Sequence, residues 1–256
     1  MQSNRLVIGS TYGGLGDHLF LTPLPRLFKE SNPESSVFLS SQSKYRGDQT
    51  KDFVWANNPY IDGIIDEPID KRLLFGKKSY LSNFIMNRIA ENLGLQYQQA
   101  LKPEIYRNIV PTSDQIEKLS GSILIDFNYI SYVGAFHQKD ALDIISNLCN
   151  QEIFLINPNV SLIEKIKDVP FVKSKDLFDY ASLIMASKKF ACLPSGSAAL
   201  AAALNKETGV YYGYGMNECF LHPCHNNQMI GSKSILRKIY GRVLKTKTSL
   251  VRKIKP

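Results

Sequence analysis

The sequence predicts an α/β protein made of two units, each with a parallel sheet covered by helices. Short apolar runs of strand length alternate with longer segments whose apolar residues recur at helical spacing. Such alternation is typical of parallel sheets with helices on both faces. Two turns rich in small residues, at 12–20 and 192–203, each follow an apolar run and precede a helix. We therefore expect a ligand to bind between the carboxyl ends of the two sheets.

The first unit opens with an apolar strand at residues 6–8. Pro23 and a second proline two residues later interrupt the following helix, because proline inside a helix costs about 3 kcal/mol. The simplest solution is a broken helix with Thr22 as its cap and Pro23 in its first turn. A helical stripe at 79–93 is closed by Gly94. Further strands are predicted at 36–41 and 61–65, and residues 103–111 are interpreted as a linker.

The second unit begins near Ser122 with a strand that is apolar on both faces. A polar loop at 128–138 follows this strand, and strands and helices then alternate. The predicted strands are 123–127, 152–156, 189–193 and 208–212, and the predicted helices are 139–149, 160–167, 176–187 and 197–204.

Composition narrows the class of protein. The chain has 256 residues with 13 Phe and 13 Tyr, enough for one large domain or two small ones. The net charge of +8 is concentrated in the segment 233–256, which holds nine basic residues and no acid, so the remaining residues are close to −1. Because residues outside this segment carry almost no net charge, the sequence argues against a protein that binds nucleic acid through a positively charged surface. Four cysteines in a chain of this length do not suggest a disulfide framework.

The cellular location is predicted from what the sequence lacks. No apolar run reaches the roughly 20 residues of a membrane helix, and no signal peptide is recognisable. We expect a cytoplasmic protein, peripheral at the inner face of the membrane if the basic tail contacts lipid.

The first turn combines Gly13, Gly14 and Gly16 with Asp17 and His18. Glycines allow backbone angles closed to other residues and let a ligand approach the main chain. A helix start offers unpaired N–H groups to polar or anionic ligands. Asp17 lies where a carboxylate can accept a proton, but it can equally cap the helix.

The second turn, at 192–203, places two hydroxyls at the start of an alanine-rich helix. Ser195, Gly196, Ser197 and Ala198 can offer main-chain N–H groups and hydroxyls to phosphate oxygens. The alternative is a serine-capped helix that only packs on its sheet. The segment lacks the Gly-Lys-Ser/Thr of a Walker loop, and Pro194 does not fit the pattern around an activated serine.

Three segments together resemble the heptosyltransferase-like (family 9) glycosyltransferases, which have the GT-B architecture of two Rossmann-like domains facing across a cleft. Residues 16–24 are similar to the family's Gly-Asp-x-apolar-apolar-x-Thr-Pro-apolar opening, and 58–65 to its Pro-Tyr-Ile-Asp strand. Residues 179–213 are similar to its donor-site segment, although Pro194 stands where the family has Asp and Ala199 where it has His.

The resemblance implies a glycosyltransferase with an acceptor-side domain at 1–112, a nucleotide-sugar domain at 113–232 and a basic amphipathic tail at 233–256. It implies an inverting transfer in which Asp17 is the general base, without a cofactor or a required metal. The acceptor, a glycan, glycolipid or glycoprotein, would contact Gly13, Gly14, Gly16 and His18. The implied donor-binding residues are Asn128, Ser131, Tyr132, Ser195, Gly196, Ser197 and Ala198.

Several alternatives stay open at this point. The protein could be a catalytically silent relative that binds a nucleotide sugar or a partner. The tail could lie on an anionic membrane, pack as a terminal helix or, as a third interpretation, bind nucleic acid. The cluster Cys219 to His225 could be a metal site, a loop that lines the cleft or plain structure, and its spacing fits no standard zinc module.

Overall fold

The computed structural model of the chain describes residues 4–73, 84–148, 150–164, 166 and 168–230. The predicted tail at 233–256 lies outside these residues, and so do Cys149 and residues 79–83 of a predicted helix. None of the helices in the described ranges combines the length and the apolar character needed to cross a bilayer.

The first sheet consists of three parallel strands in the order β1 (Arg5–Ile8), β2 (Ser36–Ser40) and β3 (Gly63–Ile65). The central strand pairs Val37 with Leu6 and Leu39 with Ile8. Parallel strands end at the same edge of a sheet, and the glycine turn leaves β1 at this edge. The three strands predicted for this unit are confirmed to within two residues.

The second sheet consists of six parallel strands, and its order reverses between its two central members. The order is β6-β5-β4-β7-β8-β9, which is that of the doubly wound nucleotide-binding fold. In such sheets ligands bind at the carboxyl ends of the two strands where the order reverses, here β4 and β7. The strands are β4 (Ile123–Asp126), β5 (Ile153–Ile156), β6 (Phe171–Val172), β7 (Lys189–Cys192), β8 (Thr208–Gly213) and β9 (Asn226–Ile230).

Helices connect the strands of both sheets. They are α1 (Leu15–Leu19), α2 (Leu24–Ser31), α3 (Asp48–Trp55), α4 (Ile85–Asn92), α5 (Ser113–Leu119), α6 (Gln138–Leu148), α7 (Val160–Ile163), α8 (Leu177–Ala186) and α9 (Gly196–Ala203). Sequence reasoning missed α3, α5, β6 and β9. The start of α5 did carry a signal, because Thr112 and Gln115 form a capping box in which each side chain accepts the other's N–H.

The break in the first helix is confirmed, but its predicted cap is wrong. Pro23 occupies the cap position of α2, and no side chain caps the helix. Thr22 instead donates its hydroxyl to the carbonyl of Leu19 at 2.8 Å and accepts the N–H of Glu104 at 2.8 Å. Through the bond to Glu104, the buried Thr22 connects the segment after α4 to the first unit.

The core extends across both sheets. One apolar cluster contains Leu6 of β1, Leu124 of β4 and Leu200 of α9. A second cluster, which includes Ile125 and Leu155, lies on the opposite face of the six-stranded sheet. The predicted boundary near residue 112 separates the two sheets along the chain, and the shared cluster joins them in space.

Candidate active site

The first glycine turn is fixed by the loop that follows β2. The hydroxyl of Ser10 accepts the N–H groups of Tyr12 at 3.2 Å and Gly13 at 3.1 Å. The carbonyl of Gly13 accepts the N–H of Arg46 at 2.8 Å. Gly13 has φ +77°, and a Cβ there would lie 3.0 Å from the backbone of Lys44. Only glycine fits this position without strain.

Asp17 lies in the first turn of α1 and is half-buried. Its Oδ2 accepts the N–H of Gly14 at 2.9 Å, so the capping role that the sequence left open is present. A Cβ on Gly14 would lie 2.7 Å from the same oxygen, so a side chain there would displace the carboxylate. The carboxylate is therefore held in one position by the backbone it caps, as the positioning of a general base requires.

His18 lies beneath this turn and is 0% exposed. Its Nε2–H donates to the carbonyl of Lys44 at 2.8 Å, and its Nδ1 accepts from Trp55 Nε1 at 3.2 Å. The ring is stacked on Tyr45 with 4.4 Å between centroids. Burial lowers the pKa of His18 to about 4, so the ring is neutral at pH 7. Both nitrogens are engaged inside the protein, and we assign His18 a supporting role rather than the predicted contact with an acceptor.

The second turn begins α9 at Gly196, one residue earlier than predicted. Ser195 is the cap, and its Oγ accepts the N–H of Ser197 at 3.3 Å. The Oγ atoms of Ser195 and Ser197 are 2.6 Å apart. Ser197 and Ala198 are buried, whereas Ser195 and Gly196 are half-buried and stand at the open end of the helix. Of the four residues predicted to bind phosphate, only Ser195 and Gly196 therefore reach the surface.

The two turns meet at a pair of glycines. A Cβ on Gly16 would lie 3.3 Å from the Cα of Gly196, and one on Gly196 would lie 3.2 Å from the nitrogen of Gly16. Both distances are tighter than nearly all contacts of real Cβ atoms, so a side chain at either position would push the other turn back by a few tenths of an ångström. The helix that carries Asp17 and the helix that carries Ser197 consequently begin at the same contact.

A buried polar cluster that sequence reasoning missed lies under the start of α9. Asp126, the last residue of β4, is 5% exposed, and its Oδ2 accepts from the Tyr180 hydroxyl at 2.5 Å. The hydroxyl of Ser197 lies near this pair and near Cys192, and its proximity lowers the pKa of all three groups. Burial raises the pKa of Asp126, and hydrogen bonds from Tyr180 and Asn128 oppose this. The available signal was a carboxylate inside the apolar run 123–127.

Of the three donor-binding residues predicted in the loop after β4, one contacts this cluster. Asn128 is exposed, but its Nδ2 donates to Asp126 Oδ1 at 2.8 Å and to the carbonyl of Asn157 at 3.0 Å. Ser131 is exposed. Tyr132 is half-buried and directs its hydroxyl to the carbonyl of Tyr214 at 3.5 Å. Asn128 thus contacts the buried carboxyl group of Asp126, whereas Tyr132 points along the end of β8.

The cluster from Cys219 to His225 packs between the two units. His222 is stacked on Phe20 with 5.3 Å between centroids, and His225 donates Nε2–H to the carbonyl of Ala198 at 2.8 Å. Burial and His225 lower the pKa of His222 to about 3. In the part of the chain that the structure describes, no group of three or more His, Cys, Asp and Glu side chains could hold a metal ion. The histidines here connect α9 to the first unit.

Neither a protein-family model nor a curated protein matches the chain by sequence. Solved structures do match it. The family 9 glycosyl transferase from Veillonella parvula DSM 2008 has a TM-score of 0.63 and 10% identity, covering 96% of this chain and 90% of its own. The ADP-heptose lps heptosyltransferase II of E. coli has a TM-score of 0.54 and 13% identity, covering 97% of this chain and 99% of its own.

A third similar structure is TibC from enterotoxigenic E. coli H10407, described as an iron-containing dodecameric glycosyltransferase. Its TM-score is 0.58 at 15% identity, over 89% of this chain and 63% of TibC, so the chain spans less than two thirds of that protein. The likeness to these structures confirms the predicted fold, the GT-B architecture of two Rossmann-like units with parallel sheets.

Proposed function

We propose that the protein is a glycosyltransferase that moves a sugar from a nucleotide sugar to a hydroxyl of a glycan, glycolipid or glycoprotein, with inversion at the transferred carbon. The observation that carries this proposal is the contact between Gly16 and Gly196, from which the helices of Asp17 and Ser197 both begin. The fold shared with heptosyltransferases supports it independently.

In this proposal the donor binds the second unit at the carboxyl ends of β4 and β7, where the strand order reverses. Its diphosphate lies against the half-buried residues Ser195 and Gly196, where N–H groups and the helix dipole favour negative charge. The same groups stabilise the charge that develops on the departing diphosphate. Because one similar structure carries ADP-heptose in its name, ADP-sugars are the first donors to test.

Asp17 acts as the general base. A hydroxyl of the acceptor, bound over Gly13, Gly14 and Gly16, gives its proton to the Asp17 carboxylate as its oxygen attacks the sugar. Attack from the face opposite the leaving diphosphate gives inversion. A positioned base of this kind contributes about 10²–10⁴-fold to the rate. The transfer needs no metal in this scheme, because main-chain N–H groups receive the leaving charge.

The first experiment is a thermal-shift screen with ADP-, GDP-, UDP- and CMP-sugars. The correct donor should raise the melting temperature, since a ligand at 100 times its dissociation constant stabilises by about 2.7 kcal/mol. If no nucleotide sugar shifts the melting temperature and none binds by calorimetry, the proposed function is wrong.

The second experiment tests whether Asp17 acts as a general base or only caps α1. Asp17→Asn keeps an oxygen that accepts the Gly14 N–H, so the start of α1 is preserved while the proton acceptor is lost. Turnover should fall by about 10²–10⁴-fold with nucleotide binding unchanged. The matched control is Asp66→Asn, an exposed carboxylate of the same unit that bonds Ser41, and this variant should keep full turnover.

A binding protein of the same fold is the second candidate function. The bond from Gly14 N–H to Asp17 Oδ2 favours it, because a capping carboxylate has a structural reason to be present without any chemistry. Such a protein would bind a nucleotide sugar in the screen and show no transfer to any acceptor, with Asp17→Asn changing neither result.

A further inference from the structure

Arg46 is an exposed cation beside the first glycine turn. Its N–H donates to the carbonyl of Gly13 at 2.8 Å, so its main chain is fixed to the turn. Its Nη1 lies 3.9 Å from the point that a Cβ of Gly14 would occupy, and Asp17 Oδ2 lies 2.7 Å from the same point. The guanidinium of Arg46 and the proposed general base therefore stand at the same glycine.

Arg46 differs from the other arginines of the described residues because its side chain has no partner there. Arg88 has an interaction of its own. The remaining four form ion pairs with carboxylates, and they are Arg5, Arg26, Arg72 and Arg107. Within the described ranges, no hydrogen bond or ion pair engages the guanidinium of Arg46. A full positive charge next to the proposed site is thus available to a ligand.

The loop that carries Arg46 is attached to both units. Three residues after Arg46, the side chain of Gln49 accepts the N–H of Leu177 in α8 at 2.9 Å. Phe53 of α3 then packs on Phe178 of α8 with 5.1 Å between ring centroids. Arg46 is therefore held between a bond to the first turn and a bond to the second unit, where the two units meet.

The loops of the second unit next to the proposed diphosphate site lack a lysine or arginine. Neither residue occurs in the segments that follow β4, β5, β7 and β8, which are 127–137, 157–159, 193–195 and 214–217. Lys173 and Lys175 follow β6, which two strands separate from β7, so a spacing of about 4.8 Å per strand leaves them about 14 Å away. The N–H groups of α9 carry only partial charges. A full charge for the diphosphate would therefore have to come from the first unit.

We propose that Arg46 reaches across from the first unit to bind the diphosphate of the nucleotide sugar and stabilises its charge as it leaves, an inference that rests on the proposed function. Arginine presents a planar fork of N–H donors that matches two phosphate oxygens. The neighbouring Lys44 is also exposed, but it meets the turn through its main chain and Cβ, whereas Arg46 meets it through its charged group.

The negative charge on the diphosphate increases during the transfer. The bond between the sugar carbon and the diphosphate oxygen breaks, and its electron pair stays on that oxygen. The acceptor oxygen forms the new bond to the carbon, and its proton goes to Asp17. A guanidinium at the diphosphate binds more strongly as this charge develops, so it favours the transition state over the bound donor.

The test is isothermal calorimetry on the full chain, without an acceptor, with ADP-, GDP- and UDP-glucose and with the three nucleoside diphosphates. Arg46→Gln keeps the N–H that binds Gly13 and removes the charge, so the melting temperature without ligand should not change. Binding of the nucleotide sugar should weaken about tenfold to a hundredfold, as for a lost charge-assisted hydrogen bond. Binding of the nucleoside diphosphate should weaken more, because its terminal phosphate carries more charge.

The matched control is Lys51→Gln, which removes the same charge from an exposed position of α3 and should change neither dissociation constant. Nucleotide-sugar binding that Arg46→Gln leaves unchanged overturns the inference and leaves the proposed function intact. An equal loss in Lys51→Gln does the same, since the effect would then come from net charge. A smaller loss for the nucleoside diphosphate than for the nucleotide sugar contradicts the role at the leaving group. Failure of all three nucleotide sugars to bind the unchanged chain overturns both proposals.

Discussion

The two strand-to-helix turns meet at one contact but are held in place by different means. The turn before α1 is held from the side, by backbone hydrogen bonds from Lys44 to Ser10 and from Arg46 to Gly13, and from within by the Ser10 hydroxyl, which accepts two of its N–H groups. The turn before α9 is capped by Ser195, which accepts the N–H of Ser197, and Ser197 lies near the buried pair of Asp126 and Tyr180. The first arrangement fixes a half-buried carboxylate above the helix start, and the second places polar side chains beneath it.

This difference determines which substitutions each turn tolerates. A turn held through its backbone depends on the backbone angles that glycine permits, and its sensitive positions are glycines. A turn held through buried side chains depends on hydrogen-bond partners, and its sensitive positions are polar. Substitutions at each turn and at their contact test this comparison.

Gly13→Ala should produce the largest effect, lowering the free energy of unfolding by about 3 kcal/mol. The left-handed angle at φ +77° costs a non-glycine residue about 1–2 kcal/mol, and the forced contact with Lys44 adds about 1–3. Urea denaturation measures the change. The control is Gly121→Ala, whose Cβ would lie 3.5 Å from the flexible carboxylate of Glu152 and should be nearly neutral. Equal losses in the two variants would refute the backbone account of the first turn.

Acidification should weaken the support beneath the first turn. The pKa of His18 is about 4 in the folded protein and about 6.5 when unfolded, so its contribution is complete above pH 6.5 and declines as pH falls towards 4. Lowering the pH from 7 to 5 should cost about 2 kcal/mol through this residue. Urea midpoints across this range measure the loss. The variant His18→Gln cannot titrate and should show a smaller decline; an unchanged slope would show that other groups dominate.

Gly16→Ala and Gly196→Ala should each cost about 1–2 kcal/mol, because the new methyl group must displace backbone of the other unit. Once one methyl has separated the helices, the second is partly accommodated, so the double variant should cost less than the sum of the two. Chemical denaturation of the four proteins gives the coupling. Gly209→Ala is the control, with an ordinary contact of 3.5 Å to Tyr211. Strictly additive losses would mean that the two glycines do not share one contact.

The smallest losses of stability are expected from substitutions of the two capping residues. Ser195→Ala removes the acceptor for the Ser197 N–H and should cost about 1 kcal/mol, the ordinary value for a lost cap. Asp17→Asn keeps an acceptor for the Gly14 N–H and should change stability by less than about 0.5 kcal/mol. Thermal melts of both variants in the absence of ligand measure the difference. A larger loss for Asp17→Asn would show that the charge of Asp17, rather than its geometry, stabilises α1.

Much of the fold could be predicted because its apolar pattern is regular. Strands β1, β4, β5 and β7 are short apolar runs with no competing interpretation, and the two small-residue turns marked where helices begin. The strand β9 could not be predicted from Asn226–Ile230, since polar residues are uncommon in a parallel sheet. It forms because β8 offers an edge for pairing, which is a long-range condition.

Residues at a helix start could be predicted from the local sequence. Residues whose role depends on contacts with distant segments could not. The positions of Asp17 and Ser195 at helix starts could be predicted, because a carboxylate or hydroxyl there can accept main-chain N–H groups without help from distant segments. Asp126 and Tyr180 are separated by 54 positions along the chain, and their hydrogen bond depends on how α8 crosses the sheet. His18 was misjudged for the same reason, because the rings that enclose it, Tyr45 and Trp55, come from other segments.

The contact of Gly16 with Gly196 has a consequence for the evolution of the two positions as well as for packing. Where main chain touches main chain, the two positions are expected to evolve together, because a side chain gained at one separates the helices and lowers the cost of a side chain at the other. Among homologous chains, we expect these two glycines to be kept, or replaced, together.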